Sequence, residues 1–207
     1  MFPFEQTLRS HFNGKFVWVT GASSGIGAAL CQTLAANGAR VILSARRKSK
    51  LLEVQSACQN PALHRVVVMD IASPDSIETA CSEVMQSCGR VDVLINNAGL
   101  SQRSLGIDTQ TRVLERLLQV NTLGTIAVTQ KVLPQMLSLG RGQVVVVSSV
   151  LGRIGVPYRS GYAASKHALH GYFECLRSEL EVPGVSISIV CPGYVDKAYL
   201  HPSPRVG

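Results

Sequence analysis

Six short runs of β-branched and aliphatic residues alternate along this chain with longer segments of helical spacing, and that alternation constrains the fold more than any other feature. The runs are Phe16 to Thr20, Val41 to Ser44, Arg65 to Met69, Val91 to Ile95, Gln143 to Ser148 and Val185 to Cys191. Each is too short for a buried helix, and turn residues bound the first four, so they read as buried strands. The intervening segments, Ile26 to Asn37, Lys48 to Cys58, Pro74 to Cys88, Thr111 to Leu139 and Gly161 to Leu180, read as helices. The first stops at Asn37-Gly38, and the third starts at Ser73-Pro74, an N-cap followed by proline in the first helical position. Apolar strands joined by helices predict an α/β fold: a doubly wound parallel sheet in three layers, α/β/α, with right-handed crossovers. At 207 residues the chain has room for one such domain. It shows no internal repeat, low-complexity tract or interdomain linker.

The 46% apolar and 16% charged content belongs to soluble globular domains, not to collagen-like, disordered or coiled-coil chains. No apolar run approaches the roughly 20 residues that span a bilayer, and the opening residues lack the apolar core and cleavage site of a secretory leader. The expected setting is soluble, intracellular and cytoplasmic, with peripheral membrane association left open. The six cysteines form no C-x-x-C pair, which suggests buried thiols in a reducing compartment and gives no reason to expect a metal site. The net charge of +7 raises the question of nucleic acid. Yet the one dense basic run, Arg46-Arg47-Lys48-Ser49-Lys50, has no interleaved aromatic residues on which bases could stack, so nucleic-acid binding is not expected.

A glycine-rich turn gives the basic run another use. Directly after the first strand comes Thr20-Gly21-Ala22-Ser23-Ser24-Gly25-Ile26-Gly27, which opens the first predicted helix. Glycines there let the backbone turn sharply and approach a pyrophosphate, held by free N–H groups at the positive end of the helix. The second strand should then identify the nucleotide. Where NAD-binding folds place a carboxylate for the ribose 2′-hydroxyl, this chain has Ser44-Ala45-Arg46-Arg47. Guanidinium groups pair well with phosphate, so the expected cofactor is NADP(H), its 2′-phosphate held by Arg46 with Arg47 or Ser23 assisting.

With these stretches the chain resembles the short-chain dehydrogenase/reductase family, and further motifs carry the likeness. Asp70-Ile71 resembles the family's adenine contact, and Asn96-Asn97-Ala98-Gly99 its N-N-A-G motif. Asn121, Ser149 and Tyr162-x-x-x-Lys166 have the family's spacing, and Pro192-Gly193 follows. Within the family, Ser148 to Leu180 is most similar to the dehydrogenase/reductase member seven group of carbonyl reductases. The resemblance implies a Rossmann-type fold and a catalytic set of Asn121, Ser149, Tyr162 and Lys166. Cofactor binding falls to Gly21, Ser23, Ser24, Gly25, Ile26, Gly27, Arg46, Arg47, Asp70, Ile71, Asn97, Ala98, Gly99, Tyr162, Lys166, Pro192, Gly193 and Val195. Tyr162 and Lys166, four residues apart, share one helix face, so the ammonium can stand near the phenolic oxygen and favour its ionised form. Tyr162 would give a proton to the substrate oxygen as hydride arrives, and Ser149 would hold that oxygen. Lys166 would also bind the nicotinamide ribose, and Asn121 would hold a water in the relay to Lys166. His167 points about 100° away around the helix and reads as structural.

The implied activity is interconversion of a carbonyl and a secondary alcohol on a small, apolar molecule. The implied partner is a second copy, docked through Thr111 to Leu139 and Gly161 to Leu180. The expected division is an N-terminal extension at 1–14, the Rossmann-type domain at 15–200 and an irregular tail at 201–207. Two departures from the family pattern stand out. Lys197 occupies the place of a threonine that steadies the nicotinamide carboxamide, although Val195 can still offer backbone groups. The sequence also stops just past the sixth strand, so six strands are expected with the usual seventh missing, and Val185 to Val190 becomes an apolar sheet edge. The alternative function is a shortened relative with weak or no catalysis that binds cofactor or a protein partner.

Overall fold

A computed structural model describes the backbone of residues 3–195 and the side chains of residues 6–195. A short helix, α1 (Pro3–Phe12), precedes β1 (Phe16–Thr20), α2 (Gly25–Ala36), β2 (Arg40–Ala45), α3 (Lys48–Ser56), β3 (Arg65–Val68) and α4 (Pro74–Cys88). Then follow β4 (Val93–Asn96), α5 (Thr111–Leu118), α6 (Gly124–Ser138), β5 (Gly142–Val147), α7 (Ser160–Glu179) and β6 (Val185–Val190). The six strands form one parallel sheet in the order β3-β2-β1-β4-β5-β6. The winding reverses between β1 and β4, the point where such sheets open a crevice beyond the strands' carboxyl ends.

Each strand supplies both faces of the sheet, because successive side chains point to opposite sides. Val17 and Val19 of β1 pack with Val41 and Leu43 of β2 against Cys31, Leu34 and Ala35 of α2 and Leu51 of α3. Trp18 and Ile42, one residue out of step, face the other way toward Ile77 and Val84 of α4, Val132 and Met136 of α6 and Phe173 of α7. The three layers follow from that alternation. Trp18 is fully buried and still satisfies its indole, whose Nε1 donates to Ser44 Oγ at 2.7 Å. The N-cap expected at Ser73 is present, with Ser73 Oγ accepting the Ser76 N–H at 3.3 Å ahead of Pro74.

Three features differ from the sequence reading, the first being helix α1 within what was expected as a plain N-terminal extension. The helix expected to run unbroken from Thr111 to Leu139 contains a π-helical turn, Gln119–Leu123, between α5 and α6. A π turn adds one residue without changing which residues are apolar, so the helical spacing does not reveal it. The cysteines are not uniformly buried: Cys31, Cys58 and Cys81 are, whereas Cys88 and Cys191 are half-buried and Cys175 is exposed. No helix among the described residues is long and apolar enough to cross a membrane. Lys197, the last residues of the expected 15–200 unit and the tail at 201–207 lie outside the described residues.

Candidate active site

The turn after β1 is built on glycines for three different reasons. Gly21 has φ +68°, and a Cβ there would lie 2.7 Å from Ala98 Cα. A Cβ on Gly27 would lie 2.3 Å from Gly21 O, so the helix can begin this close to the strand only with a bare residue. Gly25 has φ +58° and faces open space. Ser24, the N-cap of α2, makes no side-chain cap bond, which leaves the first-turn N–H groups for a ligand. Asn97 ties the end of β4 to this turn: its Nδ2 donates to Thr20 O at 3.0 Å and Gly21 O at 3.3 Å, and its own N–H reaches Thr20 Oγ1 at 3.0 Å.

A cavity of about 380 Å³ lies against the turn, lined by Gly21, Ser23, Ser24, Ile26, Arg46, Arg47, Asp70, Ile71, Asn97, Ala98 and Gly99 together with Leu100, Met69, Arg116 and Val120. Eleven of the residues expected to contact cofactor thus line one cavity. Gly25 and Gly27 shape the turn and do not line the cavity. Arg47 Nη2 donates to Ser23 Oγ at 3.2 Å, so the guanidinium stands beside the glycine turn. Bare glycines, unused helix N–H groups and three arginines on one cavity suit the pyrophosphate of a dinucleotide.

A second cavity of about 260 Å³ continues from the first through the shared residues Ile26, Asn97, Gly99 and Leu100. It is lined by Ser149, Tyr162, Lys166, Pro192, Gly193 and Val195. Residues separated by 46 positions in sequence thus meet because the end of β5, the start of α7 and the segment after β6 lie at the same edge. Ser149 caps a short 3₁₀ turn, Val150–Gly152, with its Oγ accepting the Leu151 N–H at 3.1 Å. Lys166 is 4% exposed and donates from Nζ to Val147 O at 2.8 Å. Burial lowers its pKa from 10.5 to about 8. Its Nζ stands over the Tyr162 ring, 5.9 Å from the ring centre.

Asn121 lies behind this cavity and does not line it. The π turn aims its carboxamide between the loop after β4 and helix α7: Oδ1 accepts the Leu100 N–H at 2.7 Å, and Nδ2 donates to Leu100 O and Ser165 Oγ, each at 2.9 Å. A Cβ on Gly99 would lie 3.4 Å from Asn121 Oδ1 and 3.5 Å from Lys166 Nζ, so both groups face the bare side of Gly99. His167 is exposed, with Nδ1 2.9 Å from Ala163 O, and takes no part in the cavity.

Arg116 and Gln102 are absent from the sequence reading. Arg116 reaches the first cavity from α5, and its Nη2 lies 3.9 Å from Asp70 Oδ2. Gln102 is 8% exposed in the loop after β4 and contacts the start of α7. Neither belongs to a local motif; only the packing of separate elements brings them to the site.

The family model for short chain dehydrogenases matches residues 15–204 of the chain. The chain belongs to that family. It is 46% identical over 185 residues to dehydrogenase/reductase SDR family member 7 of Homo sapiens, an alignment covering 86% of this chain and 55% of the relative. The chain therefore spans about half the length of that relative. Among solved structures, a variant of actinorhodin polyketide ketoreductase with NADPH matches at TM-score 0.84 and 32% identity, over 88% of this chain and 71% of that one. A short-chain dehydrogenase/reductase from Burkholderia phymatum in complex with NAD matches at 0.82 and 25% identity, over 89% and 67%. Nicotinamide cofactors of both kinds thus occur on this fold.

Proposed function

We propose that the chain carries the cofactor and proton-transfer machinery of an NADP(H)-dependent oxidoreductase that interconverts a carbonyl and a secondary alcohol on a small, apolar molecule. The observation that carries this reading is that Ser149, Tyr162 and Lys166 line one cavity, continuous with the glycine-turn cavity. The bound nicotinamide would supply or accept a hydride. Arg46, Arg47 and Ser23 would hold a 2′-phosphate, the first turn of α2 the pyrophosphate, and Asp70 with Ile71 the adenine. Tyr162 would give its proton to the substrate oxygen, a step worth on the order of 10²–10⁴-fold. Ser149 Oγ accepts the Leu151 N–H, which leaves its own proton to donate to the same oxygen. Lys166 uses one of its three donors on Val147 O and has two for the ribose. Asn121 Oδ1 and Lys166 Nζ face the bare side of Gly99, the place for the relay water between them.

The same chains are proposed to pair through α5, α6 and α7, where Leu118 and Leu123 are 39% and 53% exposed. A monomer by sedimentation at micromolar concentration would reject that pairing.

A second reading is a chain that binds cofactor or a protein partner with little turnover. It draws on exposed apolar residues: Tyr194, 99% exposed between the cavity-lining Gly193 and Val195, and Ile107, 94% exposed. One experiment separates the two. NADPH oxidation is followed with a panel of ketones, aldehydes and quinones, with Tyr162→Phe as control. Turnover that Tyr162→Phe abolishes while NADPH affinity stays within a few-fold supports the reductase. Tight NADPH binding without turnover favours the second reading, and turnover retained in Tyr162→Phe removes the role of the phenol.

A further inference from the structure

The first three N–H groups of α7, those of Ser160, Gly161 and Tyr162, have no partner within their own helix. The N-cap residue, Arg159, offers no side-chain acceptor to them. The partner for Tyr162 comes from another loop: Gln102 Oε1 accepts the Tyr162 N–H at 3.4 Å. It reaches across Gly161, where a Cβ would lie 2.6 Å from Leu114 Cδ2 and 3.7 Å from Gln102 Oε1. The other end of the same amide is held in place. Gln102 Nε2 donates to Ser104 Oγ at 2.7 Å, Ser104 O at 3.2 Å and Thr109 Oγ1 at 3.3 Å, and Ser104 Oγ and Thr109 Oγ1 lie 2.6 Å apart.

Arg159 returns the contact. Its Nη1 donates to Ser101 Oγ at 2.6 Å and to Gln102 O at 2.8 Å. Between these ties sits Tyr158, a non-glycine residue at φ +66°, whose carbonyl accepts the Ser104 N–H at 3.2 Å. A left-handed tyrosine costs on the order of 1–3 kcal/mol and persists only where its surroundings hold it. The loop that walls the second cavity through Leu100 and Ser101 and the turn that starts the Tyr162 helix are therefore one hydrogen-bonded unit.

Resting on the reductase reading above, we propose that Gln102, fastened by Arg159, is a positioning residue for Tyr162: it fixes the first turn of α7, and with it the phenol, against the loop that walls the substrate cavity. Helix packing alone leaves that turn without an acceptor for the Tyr162 N–H. A misplacement of about 1 Å at a reacting group can lower the rate about a hundredfold. Gln102 lines neither cavity, so its loss acts on turnover more than on cofactor affinity.

The test compares wild type, Gln102→Leu, Gln102→Glu and Gln55→Leu. Gln55 makes a similar glutamine tie, Nε2 to His64 O at 2.8 Å, between residues that line neither cavity. For Gln102→Leu, kcat is expected to fall roughly ten- to a hundredfold with the NADPH Kd within about threefold, since only placement is lost. Amide exchange over residues 158–166, read by mass spectrometry on the chain alone, is expected to rise about tenfold while other segments keep their protection. Gln102→Glu keeps an acceptor for the Tyr162 N–H, and the Ser104 and Thr109 hydroxyls can turn to donate to its carboxylate, so it is expected to regain part of both losses. Gln55→Leu is expected to leave kcat and the 158–166 amides unchanged. Unchanged local exchange in Gln102→Leu overturns the proposal, as does raised exchange with unchanged kcat, or raised exchange spread over the whole chain. A wild type without turnover on any carbonyl would remove the reductase reading alone, and the exchange measurement would still decide whether Gln102 holds this turn.

Discussion

Replacing Lys166 with methionine is expected to abolish turnover and, at pH 7, to stabilise the fold. Lys166 is 4% exposed, and burial lowers its pKa from 10.5 to about 8. At about 1.36 kcal/mol per pKa unit, that gap places roughly 3 kcal/mol of desolvation on the folded state while the ammonium is charged. Methionine fills a similar volume without the charge. Its cost is the bond from Nζ to Val147 O, worth about 1–1.5 kcal/mol net. The balance favours the variant by about 2 kcal/mol, which for a chain of this size raises Tm by about 4–8 °C. The pH dependence has a definite sign. Because the folded pKa lies below the unfolded one, the unfolded chain binds the extra proton between pH 8 and 10.5, and wild-type stability gains from this group as pH rises through that window. The variant has no such gain, so its advantage should shrink from about 2 kcal/mol at pH 7 to about −1 near pH 10.5. Subtracting one stability curve from the other, by urea unfolding without cofactor, cancels the groups common to both. A variant less stable than wild type at pH 7, or a difference that stays constant from pH 8 to 10.5, would refute the reasoning.

Arg46→Ala with Arg47→Ala is expected to weaken NADPH by about 2 kcal/mol, roughly 30-fold in Kd, and NADH by less than about twofold, since only the 2′-phosphate distinguishes them; equal weakening of both would rule out the phosphate role. Gly27→Ala places a Cβ 2.3 Å from Gly21 O and is expected to destabilise the fold by about 2–3 kcal/mol and abolish cofactor binding, measured by urea unfolding and NADPH fluorescence. Gly171→Ala, in the interior of α7 with open space around it, is the counterpart and should stabilise by up to about 1 kcal/mol; similar behaviour of the two variants would contradict the close-approach argument.

The strands were legible because a buried parallel strand has to be a short apolar run and leaves little else for such a run to be. Predicted and observed strand ends differ by no more than two residues. The glycine turn was legible for a local reason as well, since strand, bare turn and helix follow one another within a dozen residues. Within the site, spacing alone made Tyr162 and Lys166 on α7 legible, whereas Ser149, Asp70, Ile71, Pro192 and Gly193, on separate elements, were reached through the family's motifs. Arg116 and Gln102 look like ordinary surface polar residues in sequence, and only the approach of α5 and of the loop after β4 brings the first to the cavity and the second to the helix turn behind Tyr162. The π turn was hidden for the opposite reason. Its residues, Gln119 to Leu123, keep the apolar spacing of the helices on either side, while the inserted residue rotates Asn121 inward.

That rotation leads to a test in which the isosteric change should be worse than the truncation. Asn121 is fully buried, and its carboxamide satisfies Leu100 from both sides: Oδ1 takes the N–H and Nδ2 gives to the carbonyl. Asn121→Ala removes both and leaves the part-buried N–H and carbonyl of Leu100 without these partners, a loss of about 1–3 kcal/mol. Asn121→Asp keeps the shape and the acceptor for Leu100 N, yet turns a second carboxylate oxygen toward Leu100 O in place of a donor. A buried charge facing a carbonyl costs more than an unmade bond, so the carboxylate variant should be the less stable of the two at pH 8. Protonation reverses the order. The neutral acid can donate to Leu100 O, and burial raises the folded pKa of the introduced group above its unfolded value. Its stability is then regained as pH falls through that folded pKa. Urea unfolding of both variants at pH 5 and pH 8 reads this directly, with Asn121→Asp expected to gain on Asn121→Ala at the lower pH. If Asn121→Asp is the more stable of the two at pH 8, the Nδ2 bond to Leu100 O is not what the π turn exists to make.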